Sequence, residues 1–214
     1  MTTAEKLVKV LTEKKMTCAT AESCTGGGVG YAITGVSGAS AVFWGGVISY
    51  DNSVKRGVLG VPEEVLATQG AVSHECAAAM AEGARRLLKT DLAVSLTGIA
   101  GPGGGSAEKP VGLVWFGLAS PSGTVTEKKI FPGDRDAVRT AAIEHAVRLL
   151  LNAAAEQDAP PPWVGARRGS GLEHLLAEGE GDGLGAVRHA EAREDGRQLL
   201  LDGDFGNAEL LGDV

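Results

Sequence analysis

Three short apolar runs, at residues 16–23, 41–50 and 91–98, are set apart by segments of helical period. This alternation constrains the fold more than any other feature. Leu7, Val8, Val10 and Leu11 form one stripe over residues 3–15, with lysines opposite. The cap of that helix is open, because Thr3 has Lys6 rather than an acid three residues on. "TGGGVGYAITGV" predicts a helix directly after the first run, and "NSVKRGVLG" a short helix or turn after the second. "PEEVLATQG" has Pro62 at a plausible first helical position, and Ser73 is a good cap for the helix carrying "AAAMAEGARRLL". Runs at 111–120 and 124–131, joined by "PSG", read as a hairpin whose second strand alternates as an edge strand does. Asp134 or Asp136 can cap a last helix reaching about Ala155. The expectation is an α/β fold: a three-layer α/β/α sandwich around a mixed, mostly parallel sheet of about five strands ending in an antiparallel hairpin.

The character of the chain changes at residue 159. "APPPW" is a stiff spacer. Beyond it eleven Asp and Glu face five Arg, which accounts for most of the net charge of −7. "AEGEGDGLG" is too polar and glycine-rich to pack. Residues 1–158 are therefore read as the folded domain and 159–214 as a Pro-led acidic tail, disordered or loosely attached. In the domain aromatics are scarce, at 4% of the chain, so aliphatics and alanine must fill the core.

The charge balance argues against direct nucleic-acid binding, which draws on bulk positive charge. No apolar run is long enough for a membrane span and no basic, then apolar, leader opens the chain, so a cytoplasmic location is expected. Cys18, Cys24 and Cys76 have no paired spacing, and His74, His145, His174 and His189 make no zinc pattern. No metal or cofactor is expected.

Four segments could carry chemistry. "TAESCTGGG", residues 20–28, sits between a strand and a helix, at the edge where open α/β sheets bind ligands. Ser23, Cys24 and Thr25 are candidate nucleophiles there, and Gly26 and Gly27 would let a substrate approach the backbone or offer N–H groups to an anion. The alternative is a plain helix cap with glycines that ease packing. "SYDNSVK", residues 49–55, brings Tyr50 and Lys55 to the same edge if the first two strands are parallel. A buried Lys can deprotonate Ser; the bland alternative is a solvated surface turn. "TGIAGPGGGSAEKPVG", residues 97–112, could form an anion nest from Gly101, Gly103 and Gly104 with Ser106 and Lys109, or be a plain connecting loop. In "PGDRDAVR", Arg135 stands at a helix start, where the dipole disfavours a cation, so it hints at an anion partner or an internal salt bridge.

Taken together, "TAESCTGG", "GGVISYDNSVK", "GAVS", "LTGIAGPGGGSAEKPVGLVWFGLA" and "FPGDRDAVR" resemble the carboxy-terminal domain of the CinA family, the competence/damage-inducible proteins. The likeness covers roughly residues 3–155 and is strongest to the stand-alone nicotinamide-nucleotide amidohydrolases. It implies a three-layer α/β/α fold and metal-free hydrolysis of the carboxamide of nicotinamide mononucleotide, giving nicotinate mononucleotide and ammonia for pyridine salvage. It implies Ser23 as nucleophile, Lys55 as base and Tyr50 as its helper. Glu22 then reads as an orienting residue. Thr25, Gly26, Gly27, Gly101, Gly103, Gly104, Ser106 and Arg135 are the candidates to bind the substrate or its phosphate. The likeness does not reach the amino-terminal molybdopterin-binding-like domain of larger CinA proteins, so ADP-ribose hydrolysis is not expected. A small-molecule nucleotide is the expected partner, and a homo-oligomer the expected assembly. Two other readings are a non-catalytic nucleotide-binding module linked to competence or DNA damage, and a scaffold acting through the acidic tail.

Overall fold

A computed structural model describes residues 1–157 of the chain. The reading of 159–214 as a tail lies outside the described residues. Helix α1 spans Thr3–Lys14 and strand β1 Cys18–Glu22; α2 spans Gly28–Thr34 and, after a 3-10 turn at Ala39–Ala41, β2 spans Phe43–Ile48. Two short helices follow, α3 at Asn52–Gly57 and α4 at Glu63–Thr68, then α5 at His74–Leu88 and β3 at Leu92–Gly98. The hairpin strands are β4, Leu113–Ser120, and β5, Gly123–Ile130, and α6 closes the domain over Arg135–Glu156.

Local chemistry sets most of these boundaries. Ser73 caps α5 by accepting from the Cys76 N–H, and Asp134 caps α6 by accepting from the Ala137 N–H. Two ends differ from the sequence reading. Helix α1 is closed by a full capping box one residue earlier, with the Thr2 hydroxyl and Glu5 carboxylate each satisfying the other's backbone N–H. Pro62 is the residue before α4 rather than its first helical residue.

The sheet order is β2-β1-β3-β4-β5. Strand β1 pairs parallel with both β2 and β3, whereas β3–β4 and β4–β5 are antiparallel. Every residue of β1 is buried, because helices cover both of its faces. One apolar cluster joins Leu7 and Leu11 of α1, Val29 and Ile33 of α2, Val94 and Leu96 of β3, and Val138 and Leu150 of α6. The other joins Ala19 and Ala21 of β1 to Cys76, Met80 and Ala84 of α5, with Leu59 and Val61. The result is the three-layer α/β/α sandwich expected from the sequence. Small side chains replace the missing aromatics by letting backbones approach. A Cβ on Gly83 would lie 2.0 Å from the Leu59 carbonyl oxygen, and one on Gly117 2.4 Å from that of Ala77. No helix among the described residues is long and apolar enough to cross a membrane.

The topology opens a crevice. The chain leaves β1 through α2 on one face toward β2, then returns across β1 through α5 on the other face to β3. The carboxyl ends of these three parallel strands therefore share one edge. Glu22 stands opposite Ile48 and Leu96 there. Open α/β sheets hold ligands at such a switch of direction.

Candidate active site

Ser23 is the first residue past β1. Its N–H donates to the Leu96 carbonyl at 3.0 Å, which extends the β1–β3 ladder by one residue and fixes the backbone of the turn. Lys55 comes from α3, a helix opened by Asp51, whose carboxylate accepts from the Ser53 N–H at 2.8 Å. The Lys55 side chain runs inward and is only 1% exposed. Its Nζ meets Ser23 Oγ at 3.1 Å, the Ser49 carbonyl at 2.5 Å and the Tyr50 carbonyl at 3.3 Å. No carboxylate among the described residues lies within ion-pair reach of it. Burial accordingly pulls the Lys55 ammonium below its ordinary pKa, against weaker opposing pulls from Cys76, Asp51 and Cys24. A neutral amine has two N–H donors and one lone pair. As an ammonium, Nζ donates to all three oxygens; once it has lost a proton, the two carbonyls keep its two donors and the lone pair faces the Ser23 O–H.

Cys24 differs from its neighbour. Burial pushes its thiol up to about 11, so near neutral pH it is a thiol rather than a thiolate. The hydroxyl, not the thiol, is bonded to the amine.

Glu22 explains the glycines. It is 1% exposed, yet its carboxylate is fully engaged. Oε2 accepts from the Thr25 hydroxyl at 2.7 Å, the Gly27 N–H at 3.1 Å and the Val29 N–H at 3.0 Å; Oε1 accepts from the Gly30 N–H at 2.9 Å. Gly26 and Gly27 both take positive φ, +61° and +97°, a turn that lets these donors converge on one side chain. The anion at the start of α2 is thus the protein's own. Among the sequence candidates, Thr25 is engaged through its hydroxyl and Gly27 through its N–H, while the Gly26 N–H donates to the Ser23 carbonyl at 3.1 Å. The N–H groups of Cys24 and Thr25 have no oxygen acceptor among the described residues, and they adjoin Ser23.

A cleft of about 230 Å³ opens over Ser23 and Lys55, walled by Cys24, Asn52, Thr97 and Arg135 among others. Tyr50 stands at its mouth, 62% exposed. Its backbone carbonyl reaches Lys55, but its hydroxyl accepts from Arg135 Nη2 at 3.2 Å. Arg135 also donates through Nη1 to the Gly101 carbonyl at 2.9 Å. Both its bonds go to neutral oxygens, and no ion pair among the described residues involves it. A cation is thus held at the mouth with its charge uncompensated.

The family model described as the CinA C-terminal domain matches residues 1–154. The chain belongs to this family. It is 52% identical over 146 residues to a competence-damage inducible protein of Caldanaerobacter subterraneus subsp. tengcongensis, covering 68% of this chain and 35% of that protein. The chain thus spans about a third of the length of the curated relatives it matches. Among solved structures it is similar to the competence/damage inducible protein CihA of Agrobacterium tumefaciens, with a TM-score of 0.68 at 42% identity, covering 70% of this chain and 93% of that one. It is likewise similar to a CinA superfamily protein of Klebsiella pneumoniae, with a TM-score of 0.70 at 33% identity, covering 72% and 97%.

Within this CinA domain the sequence candidates divide. Ser23, Lys55, Tyr50 and Arg135 meet around one cleft. The glycine-rich loop after β3 contributes less than its composition suggests. Gly98 and Ala100 line the cleft and Gly101 holds Arg135, but Gly103, Gly104 and Ser106 are exposed and are not among its walls. Ser106 instead donates to Glu108 and accepts from the Lys109 N–H, and Lys109 Nζ donates to the Gln69 carbonyl at 2.7 Å. Sequence reasoning missed Thr97, a buried wall residue whose hydroxyl donates to the Ala71 carbonyl at 2.7 Å. It also missed Arg139, which shares the Arg135 side of α6 at four-residue spacing, the one signal that could have found it.

Proposed function

We propose that this CinA domain is a serine amidase that hydrolyses the carboxamide of nicotinamide mononucleotide to nicotinate mononucleotide and ammonia. The observation that carries the reading is the 3.1 Å contact between a buried lysine amine and Ser23 Oγ. Ser23 Oγ attacks the carboxamide carbon as its proton passes to Lys55 Nζ. The carbonyl oxygen gains charge and is received by the N–H groups of Cys24 and Thr25; one such donor is typically worth about 3 kcal/mol of barrier. Lys55 returns the proton to the nitrogen, the C–N bond breaks and ammonia leaves. Water, deprotonated by the same amine, then cleaves the Ser23 ester, releasing the carboxylate and restoring the hydroxyl.

The substrate side of the reading rests on two further features. The cleft lies below the ~300–1,000 Å³ of a typical ligand site, so it suits the pyridine carboxamide rather than a whole nucleotide. The phosphate then lies outside, where Arg135 offers the uncompensated charge. The Glu22-filled turn does not suit it. Tyr50 acts by closing the mouth and, once Arg135 turns to the phosphate, its hydroxyl is released toward the reacting groups.

The test is ammonia release from the purified protein offered nicotinamide mononucleotide or free nicotinamide. The reading expects turnover of the nucleotide and little or none of the free amide. It fails if neither is hydrolysed, or if Cys24→Ala rather than Ser23→Ala removes the activity.

A further inference from the structure

Arg139 is the residue this site leaves unexplained. It is half-buried and does not line the cleft. Its Nη2 donates to the Thr25 carbonyl at 3.1 Å. Its Nε is buried with no acceptor among the described residues, and Nη1 comes no nearer than 3.9 Å to the exposed Asp136 carboxylate. A guanidinium partly stripped of water and left one donor short is an unfavourable arrangement unless the bond it does make matters.

That bond falls on a turn already held at other points. The Thr25 carbonyl accepts from the Gly28 N–H at 3.2 Å as well as from Arg139, and the N–H of the same peptide unit, on Gly26, donates to the Ser23 carbonyl. The Thr25 hydroxyl is fixed from the opposite side by Glu22. Rotation of the two peptides before this unit would swing the Cys24 and Thr25 N–H groups, the two amides in the turn without an oxygen acceptor. Among the described residues, Arg139 is the side chain bonded to a backbone carbonyl of residues 23–27. Its charge also reaches the Cys24 thiol, where it opposes the upward push of burial.

We propose that Arg139 is a positioning residue: through the Thr25 carbonyl it holds the Cys24 and Thr25 N–H groups in place to receive the oxyanion formed at Ser23. The inference rests on the amidase reading, but part of its test does not. Arg139→Met removes the donors and keeps much of the side-chain volume; Arg139→Lys restores one donor. With nicotinamide mononucleotide, Arg139→Met is expected to lower kcat about 100-fold, the scale of a lost oxyanion donor, with KM within about twofold. Arg139→Lys is expected to recover at least a tenth of wild-type kcat. A rise in KM with kcat unchanged would overturn the proposal by making Arg139 a substrate-binding group. A lower melting temperature with unchanged kcat in the folded protein would overturn it by making Arg139 structural. The independent arm is amide hydrogen exchange across residues 23–27. Arg139→Met should speed exchange at Gly26 and Gly27, whose N–H groups are bonded to the Ser23 carbonyl and the Glu22 carboxylate and so report the hold on the turn, and unchanged exchange there overturns the proposal even if the wild-type protein releases no ammonia.

Discussion

Two glycine-rich turns follow parallel strands at the same edge of the sheet, and their fates differ. In the turn after β1 a carboxylate occupies the centre: Glu22 gathers one hydroxyl and three amides. The loop after β3 has no such centre among the described residues: Arg135 holds it from outside at the Gly101 carbonyl, and its own Lys109 reaches out to the Gln69 carbonyl. Both turns read as anion cradles by composition. The accounting of their amides separates them. The first is a bonded frame for Ser23 in which the N–H groups of Cys24 and Thr25 have no oxygen acceptor among the described residues, and the second is a tethered connection whose middle faces solvent.

Ser23→Ala probes the first turn most severely. Loss of the proposed nucleophile should cut ammonia release by about 10⁴-fold or more while the melting temperature holds, since only the hydroxyl oxygen is removed and the backbone bond to Leu96 stays. Retained turnover would return this turn to the status of a helix cap.

Lys55→Met comes next, with a loss of about 10²–10⁴-fold, the usual range for a general base. In the wild type the rate should climb with pH along a limb whose apparent pKa lies below the ordinary 10.5, as burial dictates. Stability follows the same shift. Between the folded pKa and 10.5 the unfolded chain binds more protons than the folded one, so stability rises with pH across that window. Urea titrations at a series of pH values should find this slope in the wild type and lose it in Lys55→Met.

Glu22→Gln tests what holds the frame. A neutral amide cannot accept from both sides as the carboxylate does, so one of the converging donors meets an NH₂ group. The expected cost is about 2–3 kcal/mol in urea denaturation. A cost under about 0.5 kcal/mol would mean that the glycines, not Glu22, set the turn.

The smallest effects come from a matched pair of glycines. Gly27→Ala forces a side chain to φ +97°, beside Ile48, and should cost about 1–2 kcal/mol. Gly103→Ala meets nothing within 4 Å and takes no left-handed φ, so its stability should stay within about 0.5 kcal/mol of wild type. Should Gly103→Ala lower activity instead, the loop after β3 closes over bound substrate and the contrast between the two turns narrows.

Much of this was legible in the sequence. Local signals placed the strands, the Ser73 cap and the edge hairpin and narrowed the last cap to Asp134 or Asp136, since periodicity and capping act over a few residues. The pairing of Lys55 with Ser23 was conditional on β1 and β2 being parallel, and they are. The Tyr50 hydroxyl was less legible. Its neighbourhood suggested Lys55, yet it bonds to Arg135, eighty-five residues on. No spacing rule connects α6 to the β2–α3 turn, and none relates Arg139 to Thr25.

The sequence by itself determined the α/β/α layers, the edge on which the site stands and the residue types gathered there. Strand period, helix stripes and caps are short-range effects that each segment carries in its own side chains. Only the tertiary structure decided how those residues are used. Burial lowers the Lys55 pKa because distant elements exclude water from it. Glu22 takes the helix start because the turn folds back on it. Arg135 and Arg139 enter the site because α6 packs across the sheet. Desolvation and amide partnership depend on what lies nearby in space, and a linear pattern does not contain that distance.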